Sequence, residues 1–371
     1  MDGWDMDGWD MKRASRRGFL PHGPKVVLSL LVGAVLLLAA CGSTAPAGTA
    51  GAATATPAPT NVSFAYQVGY NYGMYYVAQQ HGWLKSEGIN LSPMTIFQSG
   101  PTELESLLAG QFDVAVLGFV PVLTLAAEGQ PIRIIDVVDN SGATYSLVAQ
   151  QGITSVADLK GKTVAVTVGS NYEYFLDQLL VKYGMTESDI NVVNAQPSEG
   201  QAAFTAGRVD AVVPATINTA SVVSQTPGAH VLFSANQFTA SPNPSPNPFA
   251  IYDLMVTTTS YANSHAALLT KLIQTFHTKV TSYVSSNFTS ASNDILAWQT
   301  SVVEAVVTLS QVEAGLKGYD FYDVPAVQKL FSSGVLQESL SNVAQYLVGA
   351  KLLPSYPDLN TLIDTQFVNK G

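Results

Sequence analysis

The side chains able to do chemistry in this chain are one cysteine, a few histidines and a crowd of tyrosines. Cys41 is the sole cysteine and follows Leu38-Ala39-Ala40. Small residues before a cysteine at the end of an apolar run form a lipobox, where an exported chain is cut and its new N-terminal cysteine lipidated. Once acylated, Cys41 leaves no thiol for a disulfide, a thiolate metal site or a nucleophile. His81, His230, His265 and His277 are scattered beyond it, without HxH or HExxH spacing. No GxSxG or GxGxxG is present; Gly161-Lys162-Thr163 imitates the end of a P-loop, but Val156 stands where the upstream glycine is needed. The expectation is therefore no catalytic residue, no metal and no cofactor.

Tyr66, Tyr70, Tyr72, Tyr75 and Tyr76 fall within eleven residues. Strand alternation sends Tyr66 into a core, and helical spacing buries one of Tyr75 and Tyr76. Tyr70 and Tyr72 lie in a Gly-flanked loop with no evident core to fill, where each can stack on a flat ring or hydrogen-bond through its hydroxyl.

Strands alternate with helices from Val62 onward. Strands are expected at 62–67, 91–97, 113–118, 132–137, 145–150, 163–168, 191–194, 210–214, 230–233 and 251–257. Helices are expected near 74–85, 102–109, 121–128, 155–160, 171–183, 198–206 and 217–225, and the chain past Tyr261 reads as helical almost throughout. Such alternation argues for an α/β fold of mostly parallel sheets flanked by helices. An echo supports two similarly built lobes: Ala109-Gly110-Gln111-Phe112-Asp113-Val114-Ala115-Val116 parallels Ala206-Gly207-Arg208-Val209-Asp210-Ala211-Val212-Val213. Each glycine is expected to end a helix in the left-handed region. The prolines of 241–248 exclude helix and central strand and read as a connection leaving the second lobe.

Ligands in parallel sheets sit at the carboxyl ends of strands, where loops lead into helix N-termini. The loops concerned are Gln67–Gly73, Gln98–Pro101, Gly118–Pro121, Gly169–Tyr172 and Pro214–Asn218. They make Gln67, Tyr70, Asn71, Tyr72, Ser99, Gly100, Gly118 and Phe119 candidate ligand contacts, with Ser170, Asn171, Tyr172, Pro214, Thr216 and Asn218. Ser170 can equally cap its own helix, and Thr102 with Glu105 fits a capping box.

The N-terminus implies export. Lys12, Arg13, Arg16, Arg17 and Lys25 precede an uncharged apolar run over 26–40, which is too short for a typical membrane span. Ser15-Arg16-Arg17-Gly18-Phe19-Leu20 resembles a twin-arginine signal, and that route and the Sec route both stay open. Four aspartates before the basic stretch point to Met11 as the working start. Residues 42–60 hold no charge and no large apolar side chain, so they read as a flexible tether reaching at most ~65 Å. Residues 1–40 carry five basic and four acidic groups, so removing them takes the net charge from -10 to -11. That acidity disfavours nucleic acid and anionic lipid as direct partners.

A family resemblance emerges from several segments in order. Gly73-Met74-Tyr75-Tyr76-Val77-Ala78-Gln79-Gln80-His81-Gly82-Trp83-Leu84-Lys85-Ser86-Glu87-Gly88-Ile89 resembles the first helix of periplasmic solute-binding proteins. Ser99-Gly100-Pro101, Leu108-Ala109-Gly110-Gln111-Phe112-Asp113, Gly118-Phe119-Val120-Pro121, Ile153 through Val166 and Gly169-Ser170 agree with it. Together they resemble the SsuA/THI5-like (NMT1-like) group serving ABC importers. The resemblance implies a two-lobed type II periplasmic-binding-protein fold with the ligand between the lobes. One lobe would be 61–145 plus 250–371, the other 146–249, with 1–40 as signal peptide and 41–60 as lipidated tether. It also implies a monomer outside the cytoplasmic membrane that delivers cargo to an ABC permease and its ATPase. The pyrimidine-synthase members carry a cysteine-rich motif that this chain lacks. None of the five loops contains Lys or Arg, and Glu103 and Glu105 are expected to face the cleft from a first helical turn, competing with a bound anion for the helix dipole. The expected ligand is thus a neutral or weakly charged, heteroaromatic small molecule rather than sulfonate, taurine or nitrate. A ligand-sensing lipoprotein of the same fold is the alternative left open.

Overall fold

The computed structural model describes residues 58–236 and 249–368. Cys41, the apolar run before it, the tether as far as residue 57 and the proline-rich 241–248 lie outside the described residues.

The chain runs β1 (Thr60–Gln67), α1 (Gly73–Gln80), β2 (Ile89–Phe97), α2 (Gly100–Leu108), β3 (Val114–Gly118), α3 (Phe119–Ala127) and β4 (Ile132–Asn140). It continues through β5 (Ser146–Ala149), β6 (Thr163–Val166), α4 (Asn171–Lys182), β7 (Asn191–Asn194), α5 (Pro197–Thr205), β8 (Ala211–Val212), α6 (Thr219–Gln225) and β9 (His230–Ser234). After β10 (Tyr252–Thr258) come α7 (Ala266–Thr275), α8 (Phe288–Ser301), α9 (Leu309–Leu316), the short β11 (Asp320–Phe321), α10 (Val324–Ser332) and α11 (Val335–Gly349). Both sheets form from β-branched and aliphatic runs; β3, VAVLG, is buried at every position, as a central strand covered on both faces requires.

Six strands make the larger sheet, in the order β11-β4-β10-β3-β1-β2, and five the smaller, β7-β6-β8-β5-β9. The fold is a two-lobed α/β type, each sheet flanked by helices. Neither sheet is parallel throughout: β1, β2 and β3 run together, as do β6, β7 and β8, whereas β10, β4 and β11 and, in the other sheet, β5 and β9 join by antiparallel pairing. The reason is connectivity. The chain passes from β4 to the smaller sheet and returns through β10, so β10 enters the larger sheet from the end where β3 leaves.

The echo has a physical counterpart. Gly110 and Gly207 adopt φ of 73° and 67°, ending their helices as expected. Asp113 then accepts from the Ser63 amide at 2.8 Å, and Asp210 from the Thr163 amide at 2.8 Å, each tying down the neighbouring parallel strand. The core beneath α1 is aromatic: Tyr75 lies 4.6 Å from Phe64 and stacks on Phe276 at 4.3 Å, beside the wholly buried Trp298. Tyr66 and Tyr75 are buried and Tyr76 only half-buried, as their spacing predicts.

One buried polar pair pins α7 to the larger sheet. His277 lies in the π-helical turn Phe276–Val280 that follows α7; its Nε2 is 2.8 Å from both Asp136 carboxylate oxygens, and its Nδ1 is 2.7 Å from the Tyr322 carbonyl. Burial opposes the charged imidazolium, but Asp136 and the carbonyl outweigh it and raise the pKa above 6.5. His81, by contrast, is a part-exposed partner of Asp294 at 2.8 Å.

Candidate functional site

Strand direction decides which residues meet between the lobes. Parallel β1 and β3 end at Gln67 and Gly118, and α1, α2 and α3 begin just beyond the carboxyl ends of β1, β2 and β3. Antiparallel β10 brings its first residues to that same end, with Asp253 opposite Gly118 on one side and Asp139 of β4 on the other. From the smaller lobe, the N-terminus of α4 supplies Asn171 and Tyr172, and the turn after β8 supplies Thr216.

A narrow chamber of about 30 Å³ lies at this meeting point. Gln67, Gly69, Asn71, Tyr72, Gly100, Gly118, Asn171, Tyr172 and Thr216 line it, together with Ser141, Thr144, Tyr145, Asp253 and Tyr319. It adjoins an outer chamber of about 460 Å³ whose walls include Tyr70, Thr144, Ser146, Thr216, Lys317 and Tyr319. Thr144, Thr216 and Tyr319 are common to both.

The structure sets Gln67, Asn71, Tyr72, Gly100, Gly118, Asn171, Tyr172 and Thr216 on the inner wall and Tyr70 on the outer. Ser99, Phe119, Ser170, Pro214 and Asn218 lie outside both linings. Ser99 is the N-cap position of α2, its hydroxyl 3.3 Å from that of Thr102. Phe119 packs edge-on against Tyr174 at 5.2 Å. Ser170 caps α4, accepting from the Tyr172 amide at 3.1 Å. The Thr102–Glu105 capping box does not form: Thr102 is inside the first turn, donates to the Ser99 carbonyl at 3.0 Å, and Glu105 is exposed. Glu103 does not present its charge to the cleft either. It is wholly buried, accepting from Gln67 at 3.0 Å and from the Val116 amide at 3.2 Å, and burial drives its pKa well up.

The residues missed by sequence reasoning are Asp253, Asp139, Tyr145 and Tyr319. Asn71 Nδ2 donates to Asp139 at 2.9 Å and to Asp253 at 3.0 Å, and the Tyr72 hydroxyl donates to Asp253 at 2.7 Å. Both carboxyls are buried, which raises both pKa values; Asp253 further disfavours ionisation of Asp139, whereas the hydrogen bond from Asp139 favours the carboxylate of Asp253. Asp253 gathers the donors that favour a carboxylate, so the shared proton belongs on Asp139 and the charge on Asp253. Burial likewise pushes the phenols of Tyr72, Tyr145, Tyr172 and Tyr319 up, so they stay neutral donors; that of Tyr70 is pushed up to about 12.

The lobes touch here. Asn171 Oδ1 accepts from the Val120 amide at 3.0 Å, and the Thr216 and Tyr319 hydroxyls are 3.2 Å apart. Gly118 permits the first contact: a Cβ there would lie 1.8 Å from Asn171 Nδ2. That Nδ2 sits beside the Tyr145 hydroxyl, whereas Asn71 Oδ1 is buried without a hydrogen-bond partner and so is available to a molecule entering the chamber. Among the described residues no group of three His, Cys, Asp or Glu is placed to hold a metal ion.

Comparisons with known proteins agree with this architecture. The NMT1/THI5 like family model matches residues 70–278. The taurine-binding periplasmic protein of Escherichia coli is 29% identical over 150 residues, 40% of this chain and 46% of that one. The match to a Brucella abortus chain named only as a binding protein spans 41% of its length, so the chain covers less than half of such curated relatives. Among solved structures, the alkanesulfonate-binding protein SsuA from Xanthomonas axonopodis pv. citri, bound to MOPS, superposes with a TM-score of 0.69 at 20% identity, covering 83% of this chain and 99% of that one. The periplasmic nitrate-binding protein NrtA from Synechocystis gives 0.64 at 11% identity, covering 83% and 87%. These likenesses show the fold, and the model match over more than half of the sequence shows the lineage: the chain belongs to the NMT1/THI5 like family.

Proposed function

We propose that the protein is the extracytoplasmic solute-binding lipoprotein of an ABC importer. It captures a small organic molecule in the interlobe cleft and delivers it to a membrane permease. The observation that carries this reading is the cleft itself, where amides, hydroxyls and tyrosines from both lobes converge and the buried Asn71 Oδ1 has no partner. A ligand touching both lobes favours the closed arrangement, which a permease can distinguish from the open one. The relatives named for taurine, alkanesulfonate and nitrate support capture of a small solute.

For the ligand we favour a flat heteroaromatic compound over sulfonate or nitrate. Helix N-termini bind anions through free N–H groups, and here several are already used: the Val120 amide by Asn171, the Tyr172 amide by Ser170, and the Gly169 amide by Glu173 at 2.8 Å. A thermal-shift screen of pyrimidines, flavins, taurine and alkanesulfonates tests both levels. A specific ligand at 100-fold its Kd adds about 2.7 kcal/mol. Stabilisation by taurine or an alkanesulfonate alone would overturn the heteroaromatic assignment, and no stabilisation by any solute would overturn capture.

A further inference from the structure

Resting on the capture reading, we propose that the cleft selects an organic cation: a planar ring bearing an amidinium-type group, with its N–H donors on Asp253 and Asn71 Oδ1 and its π-face against the chamber tyrosines.

Four observations converge on this. First, Asp253 belongs to the inner wall, and that wall contains no Lys or Arg. The one basic residue of the two linings, Lys317, belongs to the outer chamber, its Nζ 5.5 Å from the centre of the Phe288 ring. Second, the orientation of Asn71 is fixed chemically. The atom facing both carboxyls touches the Asp253 carboxylate at 3.0 Å, which only the amide nitrogen can do as a donor, so Oδ1 is the atom left over. An acceptor left unpaired beside a carboxylate calls for two donors on one ligand edge, and an amidinium presents such a pair in one plane. Third, Tyr72, Tyr145, Tyr172 and Tyr319 line the same small chamber, with Tyr145 and Tyr172 5.3 Å apart between ring centres. Aromatic faces around a desolvated cation attract it, whereas they repel an anion. Fourth, Asn171, 5% exposed, brings its amide donor to the same wall beside the Tyr145 hydroxyl, where an acceptor elsewhere on the ring can share it. The inner chamber of about 30 Å³ has room for the amidinium edge, with the ring extending past Tyr319 into the adjoining chamber of about 460 Å³, and its wall is matched to an edge that is positive and donor-rich.

The experiment compares three near-isosteric probes that differ in charge: benzamidine, benzamide and benzoate, titrated calorimetrically into the full chain in detergent. The expected result is benzamidine binding at least about tenfold more tightly than either partner. Asp253→Asn should remove that preference. Tyr172→Leu, which leaves the Asp253 hydrogen bonds in place, should weaken benzamidine by about tenfold, a check independent of how well the Asp253 variant folds. Equal or tighter binding of benzoate or benzamide overturns the proposal while leaving capture standing. Binding of none of the three overturns it too, and capture then stands or falls on the thermal-shift screen.

Discussion

At the scale of single residues, close approach and burial of charge govern what the cleft can do. Gly118 lets Asn171 reach the Val120 amide. Gly118→Ala should force Asn171 away, lose that interlobe hydrogen bond, worth about 1 kcal/mol, and weaken any ligand that needs closure by roughly fivefold. Calorimetry beside small-angle scattering would show it, as reduced affinity and a more expanded ligand-bound particle; unchanged affinity would mean closure does not use this contact. Asp177 of α4 offers a second test. Burial, with Glu187 and Glu173 close by, pushes its pKa up to about 8. A carboxyl whose folded pKa exceeds its unfolded value favours folding while protonated, and the benefit is lost as pH rises from the unfolded value through about 8. Asp177→Asn should therefore flatten the fall in Tm between about pH 4 and pH 8, and an unchanged slope would assign that fall to other groups.

At the scale of elements, the His277–Asp136 pair joins the turn after α7 to β4. Removing the imidazole leaves a buried carboxylate unpaired, so His277→Ala should cost about 3–5 kcal/mol in urea unfolding. Because the His277 pKa is raised, its stabilising contribution is complete below about pH 6.5 and is lost as pH rises through the folded value. The wild-type protein should lose stability over that window while the variant does not. Much of this architecture was legible beforehand: β-branched runs bounded by turn residues place ten strands, and the tyrosine spacing marks Tyr66 and Tyr75 as core; Tyr70 and Tyr72, expected in a loop with no core to fill, are buried as well. What escaped had physical causes. β11 is two residues long, below any periodic signal. Asp139 and Asp253 sit in strands whose other residues are mostly apolar, 114 positions apart in the chain. Only the antiparallel return of β10 beside β4 brings them together, and strand order is not written in local patterning. For the same reason the parallel expectation held for β1–β3 and β6–β8 but not for the strands that carry the chain between lobes.

At the scale of the whole molecule, the proposed tether and the cleft have separable roles. Cys41→Ser should shift the protein from the membrane fraction almost entirely to the soluble one while leaving ligand affinity unchanged. Cell fractionation with fatty-acid labelling, paired with calorimetry, checks both halves; persistence in the membrane after the substitution would place the anchor elsewhere. Among the described residues no helix is long and apolar enough to cross a membrane.

The tyrosine lining of the cleft also has an optical consequence. The tryptophans of the described chain are Trp83 and Trp298; neither lines either chamber, and Trp298 is wholly buried beneath α1, 6.1 Å from Tyr66. Occupancy should therefore register in the tyrosine band of the near-ultraviolet circular dichroism, where Tyr145, Tyr172 and Tyr319 change their surroundings, with little change in indole emission. The native protein thus carries its own chromophores for the cleft, and a titration can be followed without a label.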